Sequence, residues 1–392
     1  MFKVALGQSV DPLVQEAVHE VLEKINKSLG PISPTAGLLF CPEDYDHKLA
    51  LTLIRKAYRD IELIGCTTDG TISSESGFEA DALVLMVFAT DIGEIKAGRG
   101  MDCQLNNKAV GIAAAKTASD QLKKYKGNEK FAIMIMDPLN AGVSKVTDGL
   151  EAVLGDNFPF IGAASSAHSK KRQTYQFYND EVLTNSLVLL LFAGDIDYSF
   201  GIQGGHSPLG EKARVTSSKD NILYTIENEP ALAYFQKYIG TDHSLFMNYC
   251  LAVYETGQEG YYVRSAPSSD SATGSVTLNG VIAEHSLIQI GTADKENCLA
   301  SCTASIEKAL RTYPARQKPA AALFFSCAGR KLMLGTKVVQ EATTAKAYFE
   351  DLPYIGFYAY GEFAPMEQGT QSRFHGTTFI SLLIGPTTTQ PQ

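Results

Sequence analysis

Four side chains late in the chain have the types and spacing to hold a small polar ligand: Arg330, Tyr358, Tyr360 and Glu362. Arg330 closes the run Ser326-Cys-Ala-Gly-Arg330, where an apolar strand pattern gives way to a helical one. A guanidinium there can clamp a carboxylate or phosphate through two parallel hydrogen bonds. Its plainer role is a solvated arginine at a helix start. Tyr358 and Tyr360 are two apart and so share one face of a strand. Gly361 permits an unusual turn, and Glu362 follows as a lone carboxylate among aromatics. A cation and an anion in an apolar setting can hold both ends of a zwitterion.

Other reactive residues carry a sharper and a plainer reading. Cys66, Thr67 and Thr68 follow an Ile-Gly pair and can line a pocket. Nucleophilic chemistry at Cys66 or Cys327 would need a nearby base and a depressed pKa. Cys298 and Cys302 are four apart on a helical pattern, but no His or Cys cluster stands near them to complete four zinc ligands. Core packing suits them better. His375, in Arg373-Phe-His-Gly-Thr-Thr378, reads as a satisfied core histidine or as a metal or haem ligand. The sequence has no phosphate loop, no nucleophile elbow and no dinucleotide fingerprint. Ligand binding without catalysis is the expectation, with a cysteine-dependent enzyme as the alternative.

These residues need elements to place them. Ile61-Glu-Leu-Ile-Gly, Phe158-Pro-Phe-Ile-Gly and Asp351-Leu-Pro-Tyr-Ile-Gly end in the same way. Each has an apolar run and a helical pattern before it and another apolar run after it, the mark of a duplicated unit. The expected fold is mixed α/β: mixed β-sheets covered by helices, built from repeated β-α-β-β units in two related halves, 1–210 and 211–392. Helices are expected over 14–29, after a cap at Asp44, over 106–125, 295–311 and 332–349. Residues 204–210 read as a loop, 168–172 as an exposed polar loop, 245–254 as a segment of uncertain type, and 387–392 as a frayed tail.

The 392 residues are 45% hydrophobic and 20% charged, which describes an ordinary globular chain. A net charge of -9 argues against a general nucleic-acid surface. The basic spot Lys170-Lys-Arg172 is too small to change that. No apolar run approaches the roughly 18–20 residues of a membrane span, and the N-terminus lacks a secretion signal's long apolar segment. Seven cysteines without Cys-x-x-Cys suit a reducing cytoplasm better than a disulfide framework.

Taken together, several stretches resemble the FIST family, in both its N-terminal and C-terminal domains. They are Leu63-Ile-Gly-Cys-Thr-Thr-Asp-Gly70, Pro208-Leu-Gly210, Glu229-Pro-Ala-Leu-Ala-Tyr234, Cys327-Ala-Gly-Arg330, Ile355-Gly-Phe-Tyr-Ala-Tyr-Gly-Glu362 and Phe374-His375. The resemblance implies a small-ligand sensing input protein, with amino acids a proposed ligand class. Its signal would pass to a separate protein such as a histidine kinase or cyclic-dinucleotide enzyme, and a homodimer is an option. It also implies an alternative, a haem-based nitric-oxide sensor, with His375 the candidate iron ligand. The chain departs from the family pattern at His206, where relatives often have tryptophan, and at Gly376, where they often have asparagine.

Overall fold

The computed structural model describes residues 1–138, 143–168, 173–240, 249–254, 260–314 and 318–387. The expectations for 169–172, 245–248 and 388–392 therefore lie outside the described residues. The rest is mixed sheet covered by helices, as the sequence suggested. Three units repeat one layout, two of them in the first half of the chain. Unit one is β1 (Phe2–Ser9), α1 (Val14–Leu29), β2 (Ala36–Cys41), α2 (His47–Ala57), β3 (Glu62–Thr67), the hairpin β4 (Thr71–Ser73) and β5 (Gly77–Glu79), and β6 (Leu83–Thr90). Unit two is β7 (Gly93–Met101), α3 (Asn107–Ser119), β8 (Glu129–Met136), α4 (Val143–Leu154), β9 (Phe160–Ala164), the hairpin β10 (Gln176–Tyr178) and β11 (Glu181–Leu183), and β12 (Ser186–Gly194).

Unit three opens with β13 (Ile196–Gly204) and then accepts an insertion. This comprises β14 (His206–Lys219), β15 (Ile222–Ile226), β16 (Glu229–Pro230), α5 (Ala231–Ile239), β17 (Tyr249–Tyr254), β18 (Tyr262–Ser265), β19 (Ser268–Asp270), β20 (Ser275–Thr277) and β21 (Leu287–Ala293), an eight-stranded sheet. The unit resumes with α6 (Lys295–Thr312), β22 (Ala321–Cys327), α7 (Ala328–Leu334), α8 (Val339–Tyr348), β23 (Tyr354–Ala359), the hairpin β24 (Glu362–Pro365) and β25 (Ser372–His375), and β26 (Thr378–Pro386).

Each unit pairs two strands in parallel, with the last strand antiparallel to the first of them: β2–β3 with β6, β8–β9 with β12, and β22–β23 with β26. The hairpins do not stay at home. β4 joins β23 of unit three, β10 joins β3 of unit one, and β24 joins β9 of unit two. The exchange closes a ring of three six-stranded sheets. Their inner faces meet in one core, where aromatic rings bridge every pair of units. Phe40 lies 4.7 Å from Phe357, Phe88 5.6 Å from Phe192, and Phe131 4.6 Å from Tyr198 between ring centroids. Such pairs add to the area they bury.

The repeated Ile-Gly pair has a packing cause. Gly65, Gly162 and Gly356 sit opposite Leu39, Met134 and Phe324 on the parallel partner strand. A Cβ on each would come within 1.9, 1.9 and 2.5 Å of the partner's carbonyl oxygen. Only glycine admits the partner backbone that closely.

Amphipathic helices cover the outer faces. Ala17, Val18, Val21, Ile25 and Leu29 form the buried stripe of α1, which ends at Gly30 with φ 64°. Asp46, not Asp44, caps α2, accepting from Leu49 N at 2.9 Å. α3 stops at Ser119, short of residue 125, because Gln121 N and Leu122 N turn back to Ala118 O and Ser119 O. These i to i+3 bonds tighten the chain. The helix expected over 332–349 starts earlier, at Ala328, and Gly335 with φ 56° splits it into α7 and α8. The loop expected at 204–210 instead opens β14, with His206 paired to Ala293.

Candidate functional site

The three glycine-marked strand tips converge. Ser166 N donates to Thr67 O at 3.1 Å, Tyr360 N to Ala164 O at 3.4 Å, and Asp69 N to Tyr358 O at 3.4 Å. The donors all lie four residues past their strand glycine and the acceptors two past, so the bonds form a cyclic set. Ser166 Oγ donates to Tyr358 O and accepts from Asp69 N at 2.7 Å. Lys331 Nζ lies 2.6 Å from Asp69 Oδ1, and His168 Nδ1 lies 2.9 Å from the same oxygen. This ion cluster satisfies itself.

Arg330 has no exposure, and its charge is spent inside the protein. Its Nε and Nη2 donate to Glu341 Oε1 at 3.1 and 2.6 Å, Nη1 donates to Ser301 Oγ at 2.7 Å, and Nη2 also donates to Cys298 O at 2.7 Å. Burial alone would lower the Arg330 pKa, but Glu341 outweighs it and holds the guanidinium charged. Tyr358 Oη and Ser326 Oγ donate to Glu341 Oε2 at 2.7 and 3.0 Å. Arg330 is therefore the centre of a closed internal network rather than an open clamp, and it does not pair with Glu362. Tyr358 and Tyr360 do not share a face either. β23 ends at Ala359, and the Tyr360 hydroxyl turns away to donate to Ala167 O.

Glu362 differs from these. It too has no exposure. Its Oε2 accepts from Thr378 N at 3.1 Å and from Thr378 Oγ1 at 2.7 Å. Oε1 has no hydrogen bond of normal geometry among the described residues; the Cys327 thiol lies beside the carboxyl. Burial pushes the carboxyl pKa up to about 8, against the opposing pull of the two Thr378 bonds. Burial likewise raises the Cys327 thiol, although the N–H groups of Gly329 and Thr377 point at its sulfur. His206, from the inserted sheet, reaches the same corner, with Nδ1 3.1 Å from Thr377 Oγ1. Burial, with Arg330 nearby, lowers its pKa to about 4. Thr377 holds φ 60°, which a β-branched residue rarely adopts. Gly361, at φ 129°, turns the chain into this corner, and a Cβ there would overlap the Phe374 ring.

Unit two shows what the same corner looks like when complete. Gln176 and Glu362 both open the hairpin strand and pair one residue past the neighbouring unit's strand glycine. Gln176 Oε1 accepts from Ser186 N at 3.4 Å and Ser186 Oγ at 2.9 Å, as Glu362 Oε2 accepts from Thr378. The second atom, Gln176 Nε2, donates to Ser165 Oγ at 2.7 Å. In unit three the position of Ser165, three past the strand glycine, is Ala359. Asp137, whose Oδ2 accepts from Asn185 N at 3.0 Å, becomes Cys327. Asn185, with φ 52°, becomes Thr377. Unit two is closed by its own side chains, and unit three leaves a buried acid half satisfied.

The other expected site residues lie elsewhere. Cys66 belongs to the shared core, and burial raises its thiol pKa well above the usual value. Thr67 Oγ1 accepts from Tyr175 N at 3.0 Å, and Thr68 N donates to Cys41 O at 3.2 Å; both side chains are buried. Cys298 and Cys302 pack in the core of unit three. His375 is 1% exposed and donates Nε2–H to Ala364 O at 2.9 Å. Burial, with Arg264 and Arg373 beside it, lowers its pKa to about 3. With that nitrogen committed, Nδ1 is the ring nitrogen of His375 left to face a metal or haem iron. No group of three or more His, Cys, Asp or Glu among the described residues could hold a metal ion. Sequence reasoning missed Glu341 and Thr377, and it marked His206 only as a departure from the family pattern. Only Glu341 carried a signal, lying three residues after Val338 and four before Ala345, on the buried stripe of its helix.

The fold and this corner define a three-unit mixed α/β protein with an incompletely satisfied acid at one unit's tip. The chain belongs to the FIST family: the FIST N domain matches residues 35–229 and the FIST C domain residues 231–365. FIST domains are associated with sensing in signal transduction. Uncharacterized proteins of Mycobacterium bovis and Mycobacterium tuberculosis are each 19% identical over 96% of this chain and 97% of their own length. An uncharacterized protein of Methanocaldococcus jannaschii is 22% identical over 45% of this chain and 34% of its own. Among solved structures, cyanuric acid hydrolase from A. caulinodans aligns over 99% of this chain and all of its own at 9% identity and a TM-score of 0.39. No helix among the described residues is long and apolar enough to cross a membrane.

Proposed function

We propose that the protein is a small-ligand sensing module whose site is the corner of unit three, where Glu362, Cys327 and Thr377 meet His206 of the inserted sheet. One observation carries the reading: the wholly buried Glu362 carboxyl has no nitrogen or oxygen partner for Oε1 among the described residues and only the Cys327 thiol beside it, at a position that unit two closes with an amide and a hydroxyl. An unmade hydrogen bond in a buried site is costly, so a ligand that supplies it gains that stabilisation. Because His206 belongs to the inserted sheet and Thr377 to the repeat core, a bound molecule would bias how the two pack.

In this reading a separate output protein, such as a histidine kinase or cyclic-dinucleotide enzyme, responds to that change, and the module itself catalyses nothing. All seven cysteines are free, which supports a reducing cytoplasmic setting. Native mass spectrometry of protein purified from its own host tests the reading. A bound small molecule is expected, lost on Glu362→Leu. Recovery of the same molecule from that variant would place the site elsewhere.

A further inference from the structure

Independently of the Glu362 corner, we infer that the outer edge of β1 is a docking site for an extended basic peptide of another protein, which adds a strand beside Val4 and Leu6. β1 is the end strand of its sheet and pairs only with β6. Backbone groups alternate sides along such a strand. Gln8 N points outward, donating to Glu75 Oε2 at 3.1 Å, and Gln8 O accepts from Lys24 Nζ at 2.6 Å. The N–H and C=O groups of Leu6 and Val4 therefore point outward as well. Lys24 and Glu75, 2.8 Å apart, stand in for a neighbouring strand at Gln8 and close that end. Side chains do the same at Ala97 of β7, whose N donates to Glu62 Oε2 at 3.2 Å and whose O accepts from Gln121 Nε2 at 3.0 Å. Nothing among the described residues does so at Val4 or Leu6. They line an open cleft of about 390 Å³ instead. An unpaired strand edge of this kind takes up another main chain by strand addition.

Charge decides which peptide fits. Unit three lines the same cleft with Glu350 and Asp351, in the connection between α8 and β23. Both are exposed, and neither has a hydrogen bond or ion pair among the described residues. They follow directly on α8, whose last carbonyls add negative potential there. The other charged groups of the lining, Lys24 and Glu75, neutralise each other. The cleft therefore holds two uncompensated negative charges beside unpaired backbone donors and acceptors. A peptide strand paired with Val4 and Leu6 fills this cleft, and Lys or Arg at alternate positions neutralises the two carboxylates. An acidic segment is repelled. A second copy of this chain presenting the same edge would set like charges together.

Fluorescence anisotropy of labelled pentapeptides with the full chain, near neutral pH and at low salt, tests this. The probes are Lys-Thr-Lys-Thr-Lys, Glu-Thr-Glu-Thr-Glu, and the first peptide with every backbone amide N-methylated. The basic peptide is expected to bind and the acidic one is not. Methylation removes the donors that pair with the strand edge and should weaken binding by roughly tenfold or more. The double variant Glu350→Lys/Asp351→Lys should weaken it as much, with the melting temperature kept because both side chains are exposed. Val4→Pro removes one outward N–H, which proline tolerates at a sheet edge, and should weaken the peptide in the same direction. Should that variant not fold, the charge-reversed one still decides. No binding of the basic peptide at roughly millimolar concentration, or unchanged binding in the charge-reversed variant, overturns the proposal. So does equal binding of the methylated peptide, which would mean charge attraction without an added strand. Self-association of the chain that Val4→Pro abolishes would also overturn it, by making a second copy the occupant.

Discussion

The Arg330 guanidinium and the Glu341 carboxylate lie 2.6 Å apart with neither side chain exposed. Breaking such a pair strands a charge in the interior, whereas removing both partners is far milder. Glu341→Leu should lower the unfolding free energy by about 3–5 kcal/mol. The double variant R330M/E341L should recover most of that loss. Urea denaturation at neutral pH measures both, and equal losses in the single and double variants would show that the network, not the charge, is what matters.

Glu362 gives the protein a pH dependence of definite sign. Its carboxyl binds a proton more tightly folded than unfolded, with its pKa raised from 4.5 to about 8. Its favourable contribution is complete below pH 4.5 and is lost as pH rises toward 8. The slope is about 1.4 kcal/mol per pH unit at most. Glu362→Gln removes this dependence. The stability of that variant relative to the parent should therefore climb across the same window and level off above it, which denaturation at a series of pH values can follow.

Thr377 stores strain that its counterpart Asn185 tolerates. Thr377→Asn should raise stability by about 1 kcal/mol, read as a higher melting temperature. An unchanged or lower value would mean that the bond between Thr377 Oγ1 and His206, at 3.1 Å, offsets the strain.

Gly162 has no room for a methyl group, since its Cβ would fall 1.9 Å from Met134 O. Gly162→Ala should cost about 2–3 kcal/mol or more, and Gly65→Ala a similar amount. A mild effect, measured by chemical denaturation, would show that the parallel strands separate easily.

Much of the frame is readable because it rests on local chemistry. Ile-Gly recurs where a strand must admit its partner's backbone, and the period of α1 marks its buried face from Val14 to Leu29. Glu362 stood out as a lone acid in an apolar run, and it is the residue whose environment is least settled. Arg330 misled because its partner lies eleven residues on, in a helix the sequence joined to its own. Thr377 gave no warning, because its φ is imposed by the turn and not by its side chain. The hairpin exchange was illegible for a related reason: pairing between units is settled by the ring as a whole, and no short stretch encodes it.

That exchange ties the chain into a loop of mutual loans. A cut between residues 229 and 231, where the two FIST matches adjoin, would leave β9 without β24 and β23 without β4. Each fragment would carry a raw strand edge, prone to stick to other chains. Selection can therefore lengthen the insertion between β13 and α6, or swap what hangs on it, far more freely than it can trade whole units. New ligand preferences would be expected to arise by altering one corner of an otherwise indivisible ring.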